Sequence, residues 1–218
     1  MPFKDRIDAG RRLARALASY KDKQPVVLAL PRGGVPVAAV IADALDAPLD
    51  LILVRKIGVP DQPELAMGAV VDGPSPMVVR NEHVISLTGV SAREFNAVRD
   101  REVAELERRR KLYVGERPHP AIAGNTAIVV DDGVATGATT RAALRATRAR
   151  MPAVLVLAVP VAPTETLAEL RGEADEIICL EDYADFGAIG LFYADFRQVS
   201  DAEVIDLLAR HPVKSGKK

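Results

Sequence analysis

Cysteine and tryptophan are nearly missing from this chain: 218 residues contain one Cys, no Trp and only 4% aromatic side chains. The single thiol, Cys179, cannot form an internal disulfide, which excludes a disulfide-stapled scaffold and suits a reducing cytoplasm. Cys179 lies in a strand-like run, EIICL, and reads as core packing. An excess of one charge is also lacking. The 29 basic residues face 30 acidic ones, so composition gives no reason to invoke nucleic acid or an anionic membrane, and any affinity for anions must be local. Long hydrophobic runs are absent. The longest nearly apolar stretch, Ala153 to Pro163, is too short to span a bilayer and is interrupted by Pro160. The opening MPFKDRIDAGRRLARAL is charged throughout and lacks the apolar segment of a signal peptide, so a soluble cytoplasmic protein is expected. No internal repeat or low-complexity tract is present, and VKSGKK at 213–218 reads as a frayed basic tail.

What is present is an alternation of strand-like and helix-like segments. Apolar runs rich in β-branched residues occur at Val26 to Leu30, Leu49 to Val54, Ala127 to Val130, Ala153 to Val159 and Glu176 to Leu180. Between them the periodicity predicts helices over Phe3 to Tyr20, Val35 to Leu45, Ala138 to Arg150, Pro163 to Glu173 and Asp201 to Arg210. Ser200 and Glu203 supply a start signal for the last of these. This alternation implies an α/β fold, a parallel sheet with helices on both faces, in one domain over 1–218. One segment, 56–124, interrupts the pattern. It holds short strand candidates at Gly68 to Val71 and Met77 to Val79, then a long charged helix from Ser91 to Tyr113 with Glu94 completing a capping box. Its run Arg108 to Lys111 reads as a solvated face, because acids are interleaved just upstream.

The richest chemistry lies in TAIVVDDGVATGATT, residues 126–140. An apolar strand of parallel-sheet character delivers Asp131 and Asp132 where its carboxyl end opens, and ligands gather at such ends. Two carboxylates can accept hydrogen bonds from vicinal sugar hydroxyls. Beyond them Gly133, Val134, Ala135, Thr136, Gly137, Ala138, Thr139 and Thr140 turn the chain into a helix, aiming backbone N–H groups and threonine hydroxyls at a phosphate. Each charge-assisted hydrogen bond there contributes about 1.5–3 kcal/mol against about 0.3–1 kcal/mol from the helix terminus, so the loop donors dominate. A Walker A loop would need a lysine where Ala138 stands, and the dinucleotide pattern of three spaced glycines is missing.

This stretch resembles the 5-phosphoribosyl-1-pyrophosphate (PRPP) motif of the type I phosphoribosyltransferases. The chain as a whole is most similar to bacterial phosphoribosyltransferases with PRGGVPVA, RKIG and DDGxATGxT motifs, whose pattern covers most of its length. The resemblance implies a three-layer fold with an inserted flexible loop and a small C-terminal hood, here 182–199. It implies transfer of a phosphoribosyl group from PRPP to a nitrogenous base or amine, with release of pyrophosphate and with Mg2+ carried through PRPP and water. Arg32, Gly33 and Gly34, after the first strand, correspond to the pyrophosphate loop, which in the family frequently contains a non-proline cis peptide. Arg55 and Lys56 correspond to catalytic-loop cations that neutralise the departing pyrophosphate, with Asp61 to Ala69 as a lid that includes Glu64. Three strand ends of one parallel sheet would then deliver Arg32, the Arg55 and Lys56 pair, and the acid loop to a common edge. Asp131 and Asp132 would act on the ribose hydroxyls.

The aromatic segment 182–196 bears Phe186, Phe192, Tyr193 and Phe196. These residues pack either as core beneath the C-terminal helix or, by the family's pattern, as a hood in which Phe186, Phe192 and Tyr193 touch the acceptor. Purine enzymes acting on 6-oxo bases carry a further aspartate where this chain has Ala135, which points away from hypoxanthine or guanine and leans towards the adenine or orotate pattern. A sensor of PRPP or nucleotide that does not turn over is the alternative, less favoured because it has less need of leaving-group cations. Partners expected are therefore PRPP and a nitrogenous acceptor, neither nucleic acid nor membrane, with homodimer formation open.

Overall fold

The computed structural model describes residues 2–73 and 76–213; the lysines of the expected basic tail lie outside them. In chain order the elements are α1 (Arg6–Ala16), β1 (Pro25–Ala29), α2 (Gly34–Leu45), β2 (Leu49–Leu51), β3 (Val54–Val59), β4 (Gln62–Val71), β5 (Met77–Arg80), α3 (Glu82–Thr88), α4 (Ala92–Tyr113), β6 (Thr126–Val130), α5 (Ala138–Ala149), β7 (Val154–Pro163), α6 (Thr164–Leu170), β8 (Glu176–Tyr183) and α7 (Asp201–Arg210). Five strands form a wholly parallel sheet in the order β2-β1-β6-β7-β8. Because successive side chains alternate between faces, Val27, Ala29, Ile128, Val130, Val156 and Ala158 pack on one side with α1, α2 and α7. Val26, Leu28, Ala127, Val129, Leu155 and Leu157 pack on the other with α5 and α6. The central strands are buried from end to end, as a sheet covered on both faces must be.

The parallel strands and their helices lie close to the predicted positions, and α7 spans the expected residues. Two expectations are corrected. The second strand stops at Leu51; Ile52 and Leu53 lead out of the parallel sheet, and Val54–Val59 opens a separate antiparallel sheet, β3-β4-β5. Arg55 and Lys56 therefore lie on a hairpin arm and not at the carboxyl end of a parallel strand. The lid expected at Asp61 to Ala69 is mostly regular, being the tight turn and much of β4. Its interior has a small core of its own: Ile57, Val59 and Met67 pack on Val84 of α3 and on Phe95 and Val98 of α4. The short helix α3, capped by the Asn81 side chain on the Val84 N–H at 3.3 Å, was not foreseen. The capping box of α4 forms as expected, Ser91 and Glu94 exchanging backbone-to-side-chain bonds.

Candidate functional site

Strand β6 lies between β1 and β7, and the register pairs Ala29 with Val130, so β1 and β6 end side by side. Leu30 N–H continues the ladder to the Val130 carbonyl at 2.9 Å. The loops that follow are thereby forced together. The peptide joining Pro31 to Arg32 is cis. A Cβ on Gly33 would sit 2.5 Å from Cγ of Asp132 and closer still to its Oδ2; one on Gly34 would sit 2.7 Å from the Val130 carbonyl oxygen. Glycine is required at both positions because the first loop lies directly on the acid pair, a close approach that only a missing side chain permits.

The two acids have different surroundings. Asp132 is buried, its Oδ2 accepting from Arg6 Nε at 2.7 Å with both side chains about one-tenth exposed. Arg6 also donates to the Arg197 carbonyl at 2.8 Å, and its guanidinium lies 3.9 Å over the Phe196 ring. The Asp132 carbonyl takes the Tyr193 hydroxyl at 2.6 Å. Burial, reinforced by the Asp132 charge, pushes the Tyr193 hydroxyl pKa well above its ordinary value. Asp131 keeps part of its surface open at the strand end, and its Oδ1 accepts the Asp132 N–H at 2.8 Å. Burial of its carboxyl group and then the neighbouring Asp132 charge hold Asp131 well above the usual carboxylate range, partly offset by Arg6.

The loop beyond the acids is held from behind. Val134 N–H bonds to the Val161 carbonyl at 2.9 Å, and Thr166 Oγ1 of α6 donates to the Ala135 carbonyl at 2.9 Å. Gly137 has φ +73°, and a Cβ there would lie 2.8 Å from Thr166 Cγ2; both facts call for glycine at the start of α5. Ala135, Thr136, Ala138 and Thr139 are exposed, while Gly133, Val134 and Thr140 are turned inward. The first N–H groups of α5, from Ala138 onward, lack intrahelical acceptors, as in any helix, and Ala138 and Thr139 lie at the exposed surface. The Val134 N–H, committed to β7, cannot join them.

The cations are placed unequally. Arg32 leaves the first loop towards Asp201 at the start of α7, 3.4 Å away, and Asp201 also accepts the Tyr113 hydroxyl at 2.5 Å. Lys56 pairs with Glu64 across the hairpin at 3.0 Å. It lines a cavity of about 390 Å³ with Gly68, Arg80, Thr139, Arg141 and Arg145, which brings it beside the start of α5. Arg55 points the other way, to Glu102 of α4 at 2.7 Å. Glu102 and Tyr113 share one face of α4 but stand roughly 16 Å apart along its axis at 1.5 Å per residue. Arg32 and Arg55 are thus anchored at opposite ends of this span and do not meet. On the same helix Arg108 and Arg109 pair with Glu105, in keeping with a solvated face.

Among the aromatics, Tyr193 is 2% exposed and holds the acid loop through its hydroxyl, whereas Phe186 and Phe192 are half-buried and meet in a tilted pair, 4.9 Å between centroids. Ile189 lies against Gly133, where a Cβ would meet its Cγ2 at 2.6 Å, so the aromatic segment sits directly on the loop. Sequence reasoning missed Arg6, Tyr113, Thr166 and Asp201. Each reaches the site from a distant element, and no local motif marks any of them.

A model of the phosphoribosyl transferase domain matches residues 4–197. The chain belongs to the phosphoribosyl transferase family. Two Mycobacterium tuberculosis proteins provisionally named as phosphoribosyl transferases, MT0597 of strain CDC 1551 and Rv0571c of strain H37Rv, are each 47% identical to it over 208 residues. These matches take in 95% of this chain and 46% of theirs, so the chain spans about half the length of the curated relatives it matches. The crystal structure of TT1426 from Thermus thermophilus is 39% identical with a TM-score of 0.85, over 98% of this chain and all of that one. A Neisseria gonorrhoeae protein solved with bound ppGpp, 13% identical with a TM-score of 0.51 over 96% of this chain and 98% of its own, is similar to this chain in fold. No helix among the described residues is long and apolar enough to cross a membrane.

Proposed function

We propose that this phosphoribosyl transferase uses PRPP as donor, transfers its 5-phosphoribosyl group to a nitrogenous acceptor and releases pyrophosphate. The observation that carries the reading is the contact between two loops: Gly33 of the Pro31-Arg32-Gly33-Gly34 turn lies on the Asp132 carboxylate at the ends of neighbouring strands. A diol held by Asp131 and Asp132 has a phosphate-sized nest of N–H donors on one side, at Thr136 to Thr139, and the Arg32 loop on the other. A molecule with a phosphate at one end of a pentose and a pyrophosphate at the other matches that order of groups.

As the bond from C1 to pyrophosphate stretches, positive charge develops on the ribose and negative charge on the leaving group. Arg32 and the backbone of Gly33 and Gly34 would meet the latter, and Lys56, which lies beside Thr139 and pairs with Glu64, would join them by a movement of its arm. Mg2+ fits this donor set, because a hard ion that keeps several waters and prefers phosphate oxygens needs only one or two carboxylates. Asp131 and the remaining oxygen of Asp132 can offer these, directly or through water, and the ion would supply charge neutralisation of the diphosphate. Nitrogen acceptors of the adenine or orotate pattern remain the better match to Ala135. A second reading, a PRPP or nucleotide sensor without turnover, draws support from Arg55 and Lys56, both engaged by carboxylates in this conformation.

The test is pyrophosphate release from Mg-PRPP across purines, pyrimidines, nicotinate-like acids and small amines. Turnover with one acceptor is expected. Lys56→Ala should then lower kcat by roughly 10–100-fold with little change in PRPP affinity, as for a group acting mainly in the transition state. PRPP binding with silence across the panel would favour the sensor.

A further inference from the structure

Arg6 precedes Asp132 by 126 positions, yet its guanidinium makes three attachments, one to the Asp132 carboxylate and two to residues 196–197. Buried ion pairs rarely stabilise a fold more than a well-packed apolar pair would, because desolvation offsets the attraction. Stability alone therefore gives a poor account of an arginine placed there. Orientation gives a better one. Oδ2 of Asp132 accepts from Arg6 and is the carboxylate oxygen nearest to Gly33, so Arg6 favours one orientation of the carboxylate and leaves Oδ1 outside its own bond. The backbone carbonyl of the same residue is fixed by Tyr193.

Arg6 is in turn held by the aromatic segment, through the Arg197 carbonyl and the Phe196 ring. The chain just before it is tied to that segment as well: Phe3 N–H bonds to the Phe192 carbonyl at 3.1 Å, Ala194 N–H to the Phe3 carbonyl at 2.9 Å and Asp195 N–H to the Lys4 carbonyl at 2.9 Å. Residues 3–6 and 192–197 thus form one unit beside the acids, with Arg6 and Tyr193 as its contacts to Asp132.

We propose that Arg6 is a positioning residue for ribose recognition, fixing Asp132 so that Oδ1 meets a sugar hydroxyl and linking the 192–197 segment to the acid pair. This rests on the PRPP reading above. Arg6 itself touches no substrate. Its removal should therefore weaken ligands that contain ribose and spare those that contain only the leaving group.

The experiment is calorimetric titration of the full chain with ribose 5-phosphate and, separately, with inorganic pyrophosphate plus Mg2+, for the wild type, Arg6→Gln and Arg6→Lys. Arg6→Gln is expected to lose roughly 10–100-fold in ribose 5-phosphate affinity, the usual cost of removing a partner that orients a ligand-binding group. Pyrophosphate affinity should stay within about twofold, and Arg6→Lys should recover part of the loss. A merely structural role would depress both ligands together, and that result, or unchanged affinity for both, overturns the proposal. A wild type that binds neither ligand overturns the PRPP reading and the proposal together. Should Arg6→Gln fail to fold, Phe196→Leu, which removes the surface beneath the guanidinium, carries the same comparison.

Discussion

At the scale of single residues, the site depends on what is missing at Gly33 as much as on what Asp131 and Asp132 present. Gly33→Ala would drive a methyl group into the Asp132 carboxylate, whereas Gly172 has open space around it. We predict that Gly33→Ala abolishes PRPP binding by calorimetry while Gly172→Ala leaves it unaltered; equal binding by both would mean that the loop contact has no bearing on the ligand. The acid pair and its glycines were legible in the sequence because strand, carboxylates, turn and hydroxyls are contiguous. Arg6 was not. It sits in a charged amphipathic helix like many others, and only the folded chain carries it to Asp132.

At the scale of elements, the least legible part was the arm formed by β3 and β4. Its first strand carries Arg55, Lys56 and Gly58, whose order resembles the opening of a flexible loop rather than a strand. What makes it a strand is pairing with β4 and burial of Ile57 and Val59 on α3 and α4, contacts that no local pattern announces. Helix α4 was legible through its capping box, but its part as a brace for Arg55 and Arg32 was not.

A second brace lies at the edge strand β2, where fully buried Asp50 holds His119 Nδ1 at 2.7 Å. The hydrogen bond that His119 donates to the Asp50 carboxylate raises the His119 pKa against the opposing effect of burial. The folded state therefore binds the proton more tightly than the unfolded one. The resulting stability is complete below about pH 6.5, the ordinary histidine value, and fades as pH rises through the folded-state pKa. Thermal unfolding of the wild type should show a Tm that declines across that upward window, and His119→Gln should flatten the decline. An identical slope in the two proteins would remove His119 as its source.

At the scale of the molecule, a parallel sheet read from alternating apolar runs placed the ends of β1 and β6 together, and most of the candidate site followed from that one juxtaposition. The exception was the expectation that a third parallel strand end would deliver Arg55 and Lys56; the chain leaves the sheet at Leu51 and brings only Lys56 beside the start of α5. Membership of the phosphoribosyl transferase family supports phosphoribosyl transfer in general and leaves the acceptor open. The central claim is that the two loops together hold a pentose between its two phosphoryl ends. The most direct measurement is a crystal structure with Mg-PRPP bound. It should place the ribose hydroxyls within hydrogen-bonding distance of Asp131 and of Asp132 Oδ1, the 5-phosphate on the N–H groups of Thr136 to Thr139 and the pyrophosphate beside Arg32 to Gly34. Density for PRPP elsewhere, or with its sugar turned away from both aspartates, would contradict the account.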